Sequence, residues 1–491
     1  MTQHRVILYN PQAVFYTMPL AVLAVGSYLD PQRYDVRIVD GRLERDPVGA
    51  VLAEIDDALC LGVTVLTGGP IRDALRVTRA AKSRRPDLPV IWGGWHPSLF
   101  PTETLKEPSI DITVQGQGEE TFAEILDRLA TGNDPSSGSG QSLADVAGCA
   151  FKPAQSAIPN TQYPIPNTQP KLNPPRPLHN TNTFPPHNYT LIPVERYFAL
   201  KGQRQLDYIA SQGCRFRCTF CADPHVYKRG WFGLEPARMG EELARLWRRY
   251  HFDDVGFQDE TFFTYHKRVE AIAEEFLHRR LGFTWMATMR ADQGDRLAEE
   301  VLGLCRRAGL RRVMIGVEAG SQQMLDWMKK DITLAQVFAS AEKCRRQGIA
   351  VLFNLIVGFP DEPAESIRET LRVAKELRAM SPDFEVAIFY YKPYPGNEIA
   401  AMLLRQGYQF PRTLAEWAGF DYVGSSGPWV DQETRDLVEG FKFYQRIAWS
   451  RPAALRAPLQ AVARWRCERD FYAWPVEKAV IERLRPLPRL S

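Results

Sequence analysis

Two stretches of the chain alternate short apolar runs with segments whose apolar residues recur at helical spacing. In the first stretch the apolar runs are six or seven residues long, and several are apolar throughout. Continuous apolar runs are typical of strands that helices cover on both faces, so the pattern predicts an α/β fold with a doubly wound parallel sheet. The predicted strands are residues 5–10, 35–41, 59–65, 89–94 and 111–116.

The second stretch repeats this alternation six times. Every apolar run but the last is followed by an amphipathic helix, which predicts a (β/α)6 partial TIM barrel. The functional groups of such folds lie at the carboxyl ends of the strands. The predicted strands are residues 206–211, 254–260, 283–291, 311–320, 350–360 and 385–393.

The residues between the two stretches lack apolar periodicity and are rich in proline, asparagine and serine. The sequence IPNTQ occurs twice there, and proline prevents regular backbone hydrogen bonding. We therefore expect a linker rather than a proline-rich ligand for a partner protein. The predicted organisation is a doubly wound domain at 1–133, a linker at 134–189, the part-barrel at 190–408 and a helical C-terminal region at 409–491.

The C-terminal region combines basic and aromatic residues at helical spacing from Pro452 onward. This pattern is typical either of a helix that lies on a membrane surface or of a lid packed on the barrel. Glu468, Asp470 and Glu477 would be repelled by anionic lipid. We therefore expect the lid.

Composition and charge narrow the class of protein. The chain has 491 residues, of which 45% are hydrophobic and 24% charged, so it is long enough for several domains and unlike a disordered chain. Its net charge of +3 argues against nucleic acid as a partner. The N-terminal sequence MTQHRVILYNPQ lacks a signal-peptide pattern, and no apolar run is long enough to span a bilayer. We expect a cytoplasmic protein, in which clustered cysteines indicate metal or redox chemistry.

Three of the eight cysteines are clustered in SQGCRFRCTFCAD, just after the first predicted barrel strand. They are Cys214, Cys218 and Cys221, whereas Cys305 and Cys344 fall within predicted helices, where a small apolar residue often packs. Structural zinc sites and closed iron–sulfur clusters use four protein ligands. A 4Fe-4S cluster bound by three thiolates would leave one iron open to a nitrogen and an oxygen of a substrate. The alternatives are three cysteines that lie in one loop by chance and half of a zinc site.

The spacing of these cysteines resembles the signature of the radical S-adenosylmethionine enzymes. The resemblance implies a 4Fe-4S cluster whose open iron is chelated by S-adenosylmethionine, and an electron from the cluster that releases a 5'-deoxyadenosyl radical. It also implies cofactor-binding residues at the other strand ends, for which barrel salt bridges are the alternative. The implied contacts are Gln258, Asp259 and Glu260 for the amino group, Arg290 for the carboxylate, Glu318 for the ribose or methionine, and the backbone from Ile356 to Gly358 for adenine.

A doubly wound domain ahead of such a barrel resembles the cobalamin-binding domain of the cobalamin-dependent radical enzymes. The segment after the first strand, NPQAVFYTMPL, has no histidine to bind cobalt from below, and we do not expect His96 to replace it. A nucleotide-binding or purely structural sheet is the alternative, but the first strand is not followed by the glycine-rich turn of a dinucleotide site. The residues that the resemblance places against cobalamin are Thr64, Thr67, Gly93, Gly94, Gly116, Gly118 and Glu119.

The two resemblances together imply a function. Cobalamin beside a 5'-deoxyadenosyl radical implies a C-methyltransferase that acts on an unactivated carbon of a small organic, tetrapyrrole or lipid substrate. The alternatives are an anaerobic tetrapyrrole oxidative cyclase and a non-catalytic cobalamin sensor. The implied partners are a small-molecule substrate and a flavodoxin- or ferredoxin-type electron donor, with the chain as a monomer. Aromatic residues that either line a pocket or form ordinary core are Phe389, Tyr390, Tyr391, Tyr394, Trp417 and Trp429.

Overall fold

A computed structural model describes residues 3–131, 143–153, 169–420, 427–451 and 457–478. Its strands are β1 (His4–Asn10), β2 (Tyr34–Asp40), β3 (Ala58–Thr64), β4 (Val90–Gly93), β5 (Ile112–Val114), β6 (Cys149–Phe151), β7 (Lys171–Leu172), β8 (Gln205–Tyr208), β9 (Ser211–Gly213), β10 (Trp231–Gly233), β11 (Asp254–Phe257), β12 (Thr284–Arg290), β13 (Leu310–Glu318), β14 (Ala350–Val357) and β15 (Phe384–Tyr390).

Helices follow most of these strands. They are α1 (Leu20–Tyr28), α2 (Pro47–Leu52), α3 (Gly69–Arg84), α4 (Trp95–Leu99), α5 (Pro101–Thr104), α6 (Glu119–Ala130), α7 (Val194–Lys201), α8 (Asp223–Val226), α9 (Pro236–Tyr250), α10 (His266–His278), α11 (Ala291–Arg296), α12 (Glu299–Arg307), α13 (Gln322–Trp327), α14 (Leu334–Arg346), α15 (Ala364–Met380), α16 (Glu398–Arg405), α17 (Leu414–Trp417), α18 (Gln432–Ala448) and α19 (Ala457–Arg469).

The chain forms two compact units. The first consists of Met1–Asp207, Ala222–Gly233 and Ala400–Asp421, and the second of Tyr208–Cys221, Leu234–Ile399 and Tyr422–Ser491. Each unit is built around one sheet, and the chain crosses between the units more than once.

The first unit confirms the predicted doubly wound sheet. Its strand order is β2-β1-β3-β4-β5-β6-β7, and the pairs from β2 to β5 are parallel. Alternate residues of β1 enter two separate hydrophobic cores. Val6 and Leu8 pack in one core, and Ile7 and Tyr9 pack in the other. Both faces of the sheet are therefore covered, as the continuous apolar runs predicted.

The predicted linker contains two strands that the sequence analysis did not predict. β6 pairs antiparallel with β5, and β7 pairs antiparallel with β6, so both extend the sheet of the first unit. The buried side chain of Asn173 fixes this extension, since its amide donates to the carbonyl oxygens of Leu143 at 2.6 Å and Val146 at 2.9 Å. Most of the proline-rich repeat, at 154–168, lies outside the described residues.

The second unit confirms the predicted partial barrel as an open sheet. Its strand order is β15-β14-β13-β12-β11-β8, so neighbouring strands follow chain order. The pairs from β11 to β15 are parallel, which places their carboxyl ends along one edge. Helix starts are fixed locally. The Thr333 side chain accepts from the amide of Gln336 at the start of α14, and the Asp431 side chain accepts from the amide of Thr434 at the start of α18.

The C-terminal region is divided between the two units. Leu414 and Trp417 pack in a hydrophobic core of the first unit. In the second unit α18 packs on α15 and β15, and α19 packs on α18. Gly427 to Val430 reach the strand ends, because the Trp429 indole donates to the carbonyl oxygen of Gly358. Among the described residues, no helix combines the length and the apolar character needed to cross a bilayer.

Candidate active site

The cysteine loop of the second unit is held at several backbone positions. The amide of Thr219 donates to the carbonyl oxygen of Met328 at 2.9 Å. The carbonyl oxygen of Thr219 accepts from the amide of Ile399 at 3.3 Å. The Asn397 side chain donates to the carbonyl oxygen of Phe220 at 2.9 Å. At the other end of the loop Arg217 forms a two-pronged ion pair with Asp331 at 2.8 and 2.9 Å. The loop is therefore shaped by the chain itself.

The chemistry of the loop fits an iron–sulfur cluster. Cys214 and Cys218 are each 9% exposed and Cys221 is half-buried, so this loop alone among the cysteine positions of the described residues includes a thiol that is not fully covered. The Thr219 hydroxyl is buried and has no hydrogen-bond partner among the described residues. A buried unpaired hydroxyl in a loop that carries three cysteines suits a group that offers sulfur acceptors.

The other cysteines have a different environment. All five are fully buried within strands or helices. Burial raises the pKa of Cys60, and it raises the pKa of Cys149 to about 11 and of Cys305, Cys344 and Cys467 to about 12. A thiol must lose its proton to bind iron, so these positions suit packing rather than metal binding.

Arg290 lies directly against the cysteine loop. The side chain is 5% exposed, and its guanidinium stacks on the ring of Phe216 at 3.6 Å from the centroid. It donates to the Asp292 carboxylate at 2.9 Å, to the carbonyl oxygen of Lys330 at 2.6 Å and to the Cys218 sulfur at 3.8 Å. The family resemblance implies that Arg290 binds the cofactor's carboxylate, and this contact stays a prediction.

Glu318 ends β13 in an unusual backbone conformation. Its φ of +70° lies in the left-handed region, beside a register shift in the pairing of β13 with β14. Non-glycine residues in this region are strained, and they persist only where the surrounding structure supports them. They are found most often at functional sites. The support includes Lys330, whose ammonium group donates to the Glu318 carboxylate at 2.5 Å, with both side chains buried.

The three residues that follow β11 have different surroundings. Both carboxylate oxygens of Asp259 are occupied, because it accepts from the amide of Ala210 at 3.0 Å and from the hydroxyl of Ser211. Burial raises the pKa of Asp259 to about 6, and the hydrogen bonds from Ser211 and Ala210 oppose this shift. Gln258 is exposed and Glu260 half-buried at the same strand end. Asp259 thus holds the chain leading to the cysteines.

The strand end at Ile356 and Gly358 is shaped by two neighbours. Gly358 has a φ of +76°, and its amide donates to the Glu362 carboxylate at 2.7 Å. Its carbonyl oxygen accepts from the Trp429 indole. Ile356 lies in β14 opposite Phe389 of β15. The predicted adenine-binding backbone is therefore fixed from both sides.

A cluster of aromatic rings lies at the same edge of the second unit. Phe359 stacks on Tyr391 at 4.5 Å and meets Phe220 edge-on at 6.3 Å and Trp327 at 5.9 Å. Tyr391 is followed by Trp429 at 6.2 Å. These rings connect the cysteine loop with the ends of β14 and β15. Trp417, by contrast, is 3% exposed in the core of the first unit.

The carboxyl edge of the first unit is closely packed at Gly94. This residue has φ +90° and ψ −165°, a combination that is essentially restricted to glycine. A Cβ atom here would lie 2.8 Å from the Thr64 hydroxyl and 2.9 Å from the amide nitrogen of Val65. Gly93 precedes it at the end of β4, and the Val65 amide donates to the Gly93 carbonyl at 2.8 Å. The loops after β3 and β4 are thereby joined.

His96 lies inside the first unit. It is fully buried, its Nδ1 is 3.2 Å from the Thr67 hydroxyl, and its ring packs against Phe100 and Trp417. Burial lowers the pKa of His96 to about 3, so the imidazole is neutral. These contacts are those of a packing residue.

The remaining predicted cobalamin contacts lie after β5. Gly116 has a φ of +68°, and no atom would lie within 4 Å of a Cβ placed there. Gly118 precedes α6, whose first residue, Glu119, is buried, and burial raises its pKa. After the neighbouring strands β1 and β3 the edge also exposes apolar side chains. Val14 and Tyr16 are each 48% exposed and Leu66 37%. Open space and exposed apolar surface at one sheet edge fit a large planar cofactor.

Two residues of the candidate site were not found by sequence reasoning. Lys330 and Thr219 gain their positions from contacts made far along the chain. Thr219 lies between two of the cysteines, so its place in the CTFC stretch was a signal that was available. Lys330 follows a helix and had no local signal.

Comparison with known proteins finds a matching family for each of the two sheets and its helices. Residues 9–126 match the B12 binding domain, and residues 208–374 match the radical SAM superfamily. The first match spans the doubly wound sheet from β1 to α6. The second begins at the end of β8, six residues before the first cysteine of the loop, and extends into α15.

Individual relatives match most of the length of this chain. The chain is 29% identical over 388 residues to an uncharacterized methyltransferase of Pyrococcus horikoshii, with 78% of each chain covered. It is 28% identical to the anaerobic magnesium-protoporphyrin IX monomethyl ester cyclase of Rubrivivax gelatinosus, covering 78% of this chain and 65% of the cyclase. The fold is similar to that of the radical S-adenosylmethionine methyltransferase TsrM from Kitasatospora setae, solved with cobalamin and a [4Fe-4S] cluster, with a TM-score of 0.67, 17% identity and coverage of 82% and 78%.

Proposed function

Because the chain belongs to the cobalamin-dependent radical S-adenosylmethionine enzymes, we propose that it is a C-methyltransferase acting on an unactivated carbon. The substrate class is a small organic, tetrapyrrole or lipid molecule. One observation carries this proposal, namely that a single chain contains both domains. The first is a B12 binding domain whose sheet has an open apolar edge, and the second is a radical SAM domain with a loop of three cysteines at its strand ends.

The residues of the second unit have separate tasks in this proposal. Cys214, Cys218 and Cys221 hold a 4Fe-4S cluster, and the backbone contacts of Thr219 and Phe220 keep the loop in place. Gln258, Glu260, Glu318 and the backbone at Ile356 and Gly358 receive S-adenosylmethionine. When bound, the three cofactors supply a 5'-deoxyadenosyl radical and a transferable methyl group. The aromatic cluster around Phe359 excludes water from the strand ends.

The edge of the first unit binds cobalamin in this proposal. Gly93 and Gly94 form the strand end against which the ligand lies, with Gly94 packed closely on Thr64 and Val65, and Gly116 leaves open space beside it. Thr64 and Thr67 provide hydroxyl groups, with Gly118 and Glu119 at the start of α6. The neutral, buried His96 supports the loop from beneath and does not bind cobalt.

We further propose a cytoplasmic monomer that receives electrons from a flavodoxin- or ferredoxin-type protein. No nucleic acid is expected as a partner, because the net charge of the chain is only +3. The electron donor is proposed because reductive cleavage of S-adenosylmethionine requires one electron for the cluster.

Anaerobic reconstitution tests the proposal. The wild-type chain should bind close to four irons and one cobalamin, the expected loading of one 4Fe-4S cluster and one cobalamin-binding domain. It should also cleave S-adenosylmethionine to 5'-deoxyadenosine. Replacing any one of Cys214, Cys218 or Cys221 by Ala should abolish both iron loading and cleavage. The matched control is Cys305→Ala, a buried cysteine of α12, which should keep both. A loop variant that retains a full cluster contradicts the ligand assignment.

Methyl transfer is tested separately. S-adenosylmethionine that carries a deuterated methyl group should give products whose mass is increased by the intact labelled methyl group. An enzyme that cleaves S-adenosylmethionine and binds cobalamin but never transfers label is not a methyltransferase. A protein that binds cobalamin without any cleavage is the sensor.

The second candidate is an oxidative tetrapyrrole cyclase, favoured by the 28% identity to the Rubrivivax enzyme and by the aromatic cluster at the strand ends. The discriminating substrate is magnesium-protoporphyrin monomethyl ester. Ring closure without incorporation of labelled methyl would replace the methyltransferase proposal with this one.

A further inference from the structure

We propose that Arg290 is a positioning residue of the iron–sulfur cluster, which holds the Cys218 sulfur and raises the reduction potential of the cluster bound there. The inference rests on the proposed function, since it requires a cluster on the cysteine loop. In this inference Arg290 acts on Cys218, which the protein supplies as a ligand of the cluster. This role differs from the predicted contact with the cofactor's carboxylate.

The guanidinium of Arg290 is held on several sides. The Asp292 carboxylate accepts from Nε at 2.9 Å, and the Lys330 carbonyl oxygen accepts from a terminal nitrogen at 2.6 Å. The ring of Phe216 lies beneath the guanidinium plane, 3.6 Å away. The other terminal nitrogen lies 3.8 Å from the Cys218 sulfur. The direction of this donor is therefore set by residues of the protein before any ligand binds.

A donor fixed in this way changes the energy of a cluster. Hydrogen bonds and positive charge near a cluster's sulfur atoms stabilise the form with the additional electron, and burial strengthens both effects. Arg290 is 5% exposed, so solvent screens it little. In the redox step the oxidised cluster takes up one electron from a low-potential one-electron carrier, and no bond of Arg290 is formed or broken.

Asp292 offers a perturbation of opposite sign. Its carboxylate also pairs with the exposed Arg296, so it lies between two cations. In Asp292→Asn the amide oxygen still accepts from Nε of Arg290, while one negative charge near the cluster is lost. In Arg290→Gln one positive charge and the donor to the Cys218 sulfur are lost, and Asp292 keeps Arg296 as its partner.

The test is a redox titration of the reconstituted full chain with dithionite, followed by electron paramagnetic resonance and without S-adenosylmethionine. Arg290→Gln should make reduction less favourable by about tenfold or more, which is 59 mV for a one-electron couple. Asp292→Asn should shift the midpoint in the opposite direction. Arg290→Lys keeps the charge and loses the planar fork, so its shift should be smaller than that of Arg290→Gln. The matched control, Arg306→Gln on the exposed surface of α12, should leave the midpoint unchanged.

The outcomes separate this inference from the function on which it rests. A wild-type chain that binds no cluster refutes the proposed function. A wild-type cluster whose midpoint is unmoved by Arg290→Gln, or one that shifts in the same direction in Arg290→Gln and Asp292→Asn, refutes the role of Arg290. If Arg290→Gln fails to assemble a cluster, Arg290→Lys and Asp292→Asn decide the question by the sign of their shifts. Weaker binding of S-adenosylmethionine with an unchanged midpoint would support the carboxylate contact instead.

Discussion

Gly94 is the position where the structure allows the cost of one added methyl group to be worked out. With φ +90° and ψ −165°, an alanine at this position has a backbone strain of roughly 1–3 kcal/mol. Its Cβ would also lie 2.9 Å from the amide nitrogen of Val65 and 3.1 Å from its carbonyl oxygen. Such overpacking typically costs about 1–3 kcal/mol. We expect Gly94→Ala to destabilise the first unit by roughly 2–6 kcal/mol when both effects are added.

The neighbouring loops cannot simply move apart to reduce this cost. The Val65 amide donates to the Gly93 carbonyl at 2.8 Å, and the His96 amide donates to the Val65 carbonyl at 3.0 Å. Separating the loops would break these hydrogen bonds, each of which contributes about 1 kcal/mol. Gly116→Ala is the matched control, because its φ of +68° is also positive while no atom lies within 4 Å of the added Cβ. Only the left-handed backbone cost of about 1–2 kcal/mol applies to it.

The assay is urea unfolding of the full chain combined with hydrogen exchange of the peptides that cover β3 and β4. Gly94→Ala should accelerate exchange there much more than Gly116→Ala, and it should lose cobalamin on gel filtration. Equal effects of the two substitutions would refute the reasoning, since only Gly94 combines a backbone conformation restricted to glycine with close contacts to the added Cβ. Normal stability of Gly94→Ala with full cobalamin loading would refute it as well.

Three further predictions concern stability without cofactors. Lys330→Met should lower the free energy of unfolding in urea by about 3–5 kcal/mol, because it leaves the Glu318 carboxylate buried without its cation. The double variant with Glu318→Gln should recover most of this loss. Additive effects of the two substitutions would show that the pair is not coupled. Because burial raises the folded-state pKa of Asp259 to about 6, this group binds more protons in the native state than in the unfolded state between about pH 4 and 6. The contribution of Asp259 to stability should therefore fall as pH rises through this window, and the difference in stability between the wild type and Asp259→Asn should change accordingly. Asn173→Ala should cost about 1–3 kcal/mol by leaving two buried carbonyl groups without their donor, whereas shortening residues 155–165 should change the urea midpoint little.

Periodicity was sufficient to predict β1 to β5 of the first unit and the six strands of the second unit's sheet. Val6 to Tyr9 alternate between two cores, and a strand buried on both faces must be apolar throughout, which is a local property of the sequence. The strands β6 and β7 could not be found in this way. They are three and two residues long, and their pairing depends on β5 and on the side chain of Asn173. Nothing in their immediate sequence distinguishes them from the surrounding loop.

The candidate site divides in a similar manner. The three cysteines could be identified because iron–sulfur ligation requires thiols at short spacing, and spacing is visible in a sequence. Their surroundings could not be identified, because Arg290 and Lys330 approach the loop only after the strands have paired. The sequence also could not indicate that Asp259 holds Ala210 and Ser211. A carboxylate at a strand end has the same appearance in sequence whether it faces a ligand or the backbone.

The charges around Cys218 connect the stability of the protein with its redox chemistry. Two buried cations, Arg290 and Lys330, are balanced by Asp292 and Glu318, and the carbonyl oxygen of Lys330 also accepts from Arg290. Without a cluster the Glu318 carboxylate has Lys330 as its buried cation, whereas the Asp292 carboxylate has Arg296 in addition to Arg290. With three thiolates bound to iron nearby, the same cations also offset the added negative charge. Lys330→Met should therefore lower the reduction potential as well as the free energy of unfolding, and Lys330→Arg, which keeps the charge, should largely preserve both. A lower free energy of unfolding with an unchanged potential would mean that the pair supports the strained backbone at Glu318 and nothing more.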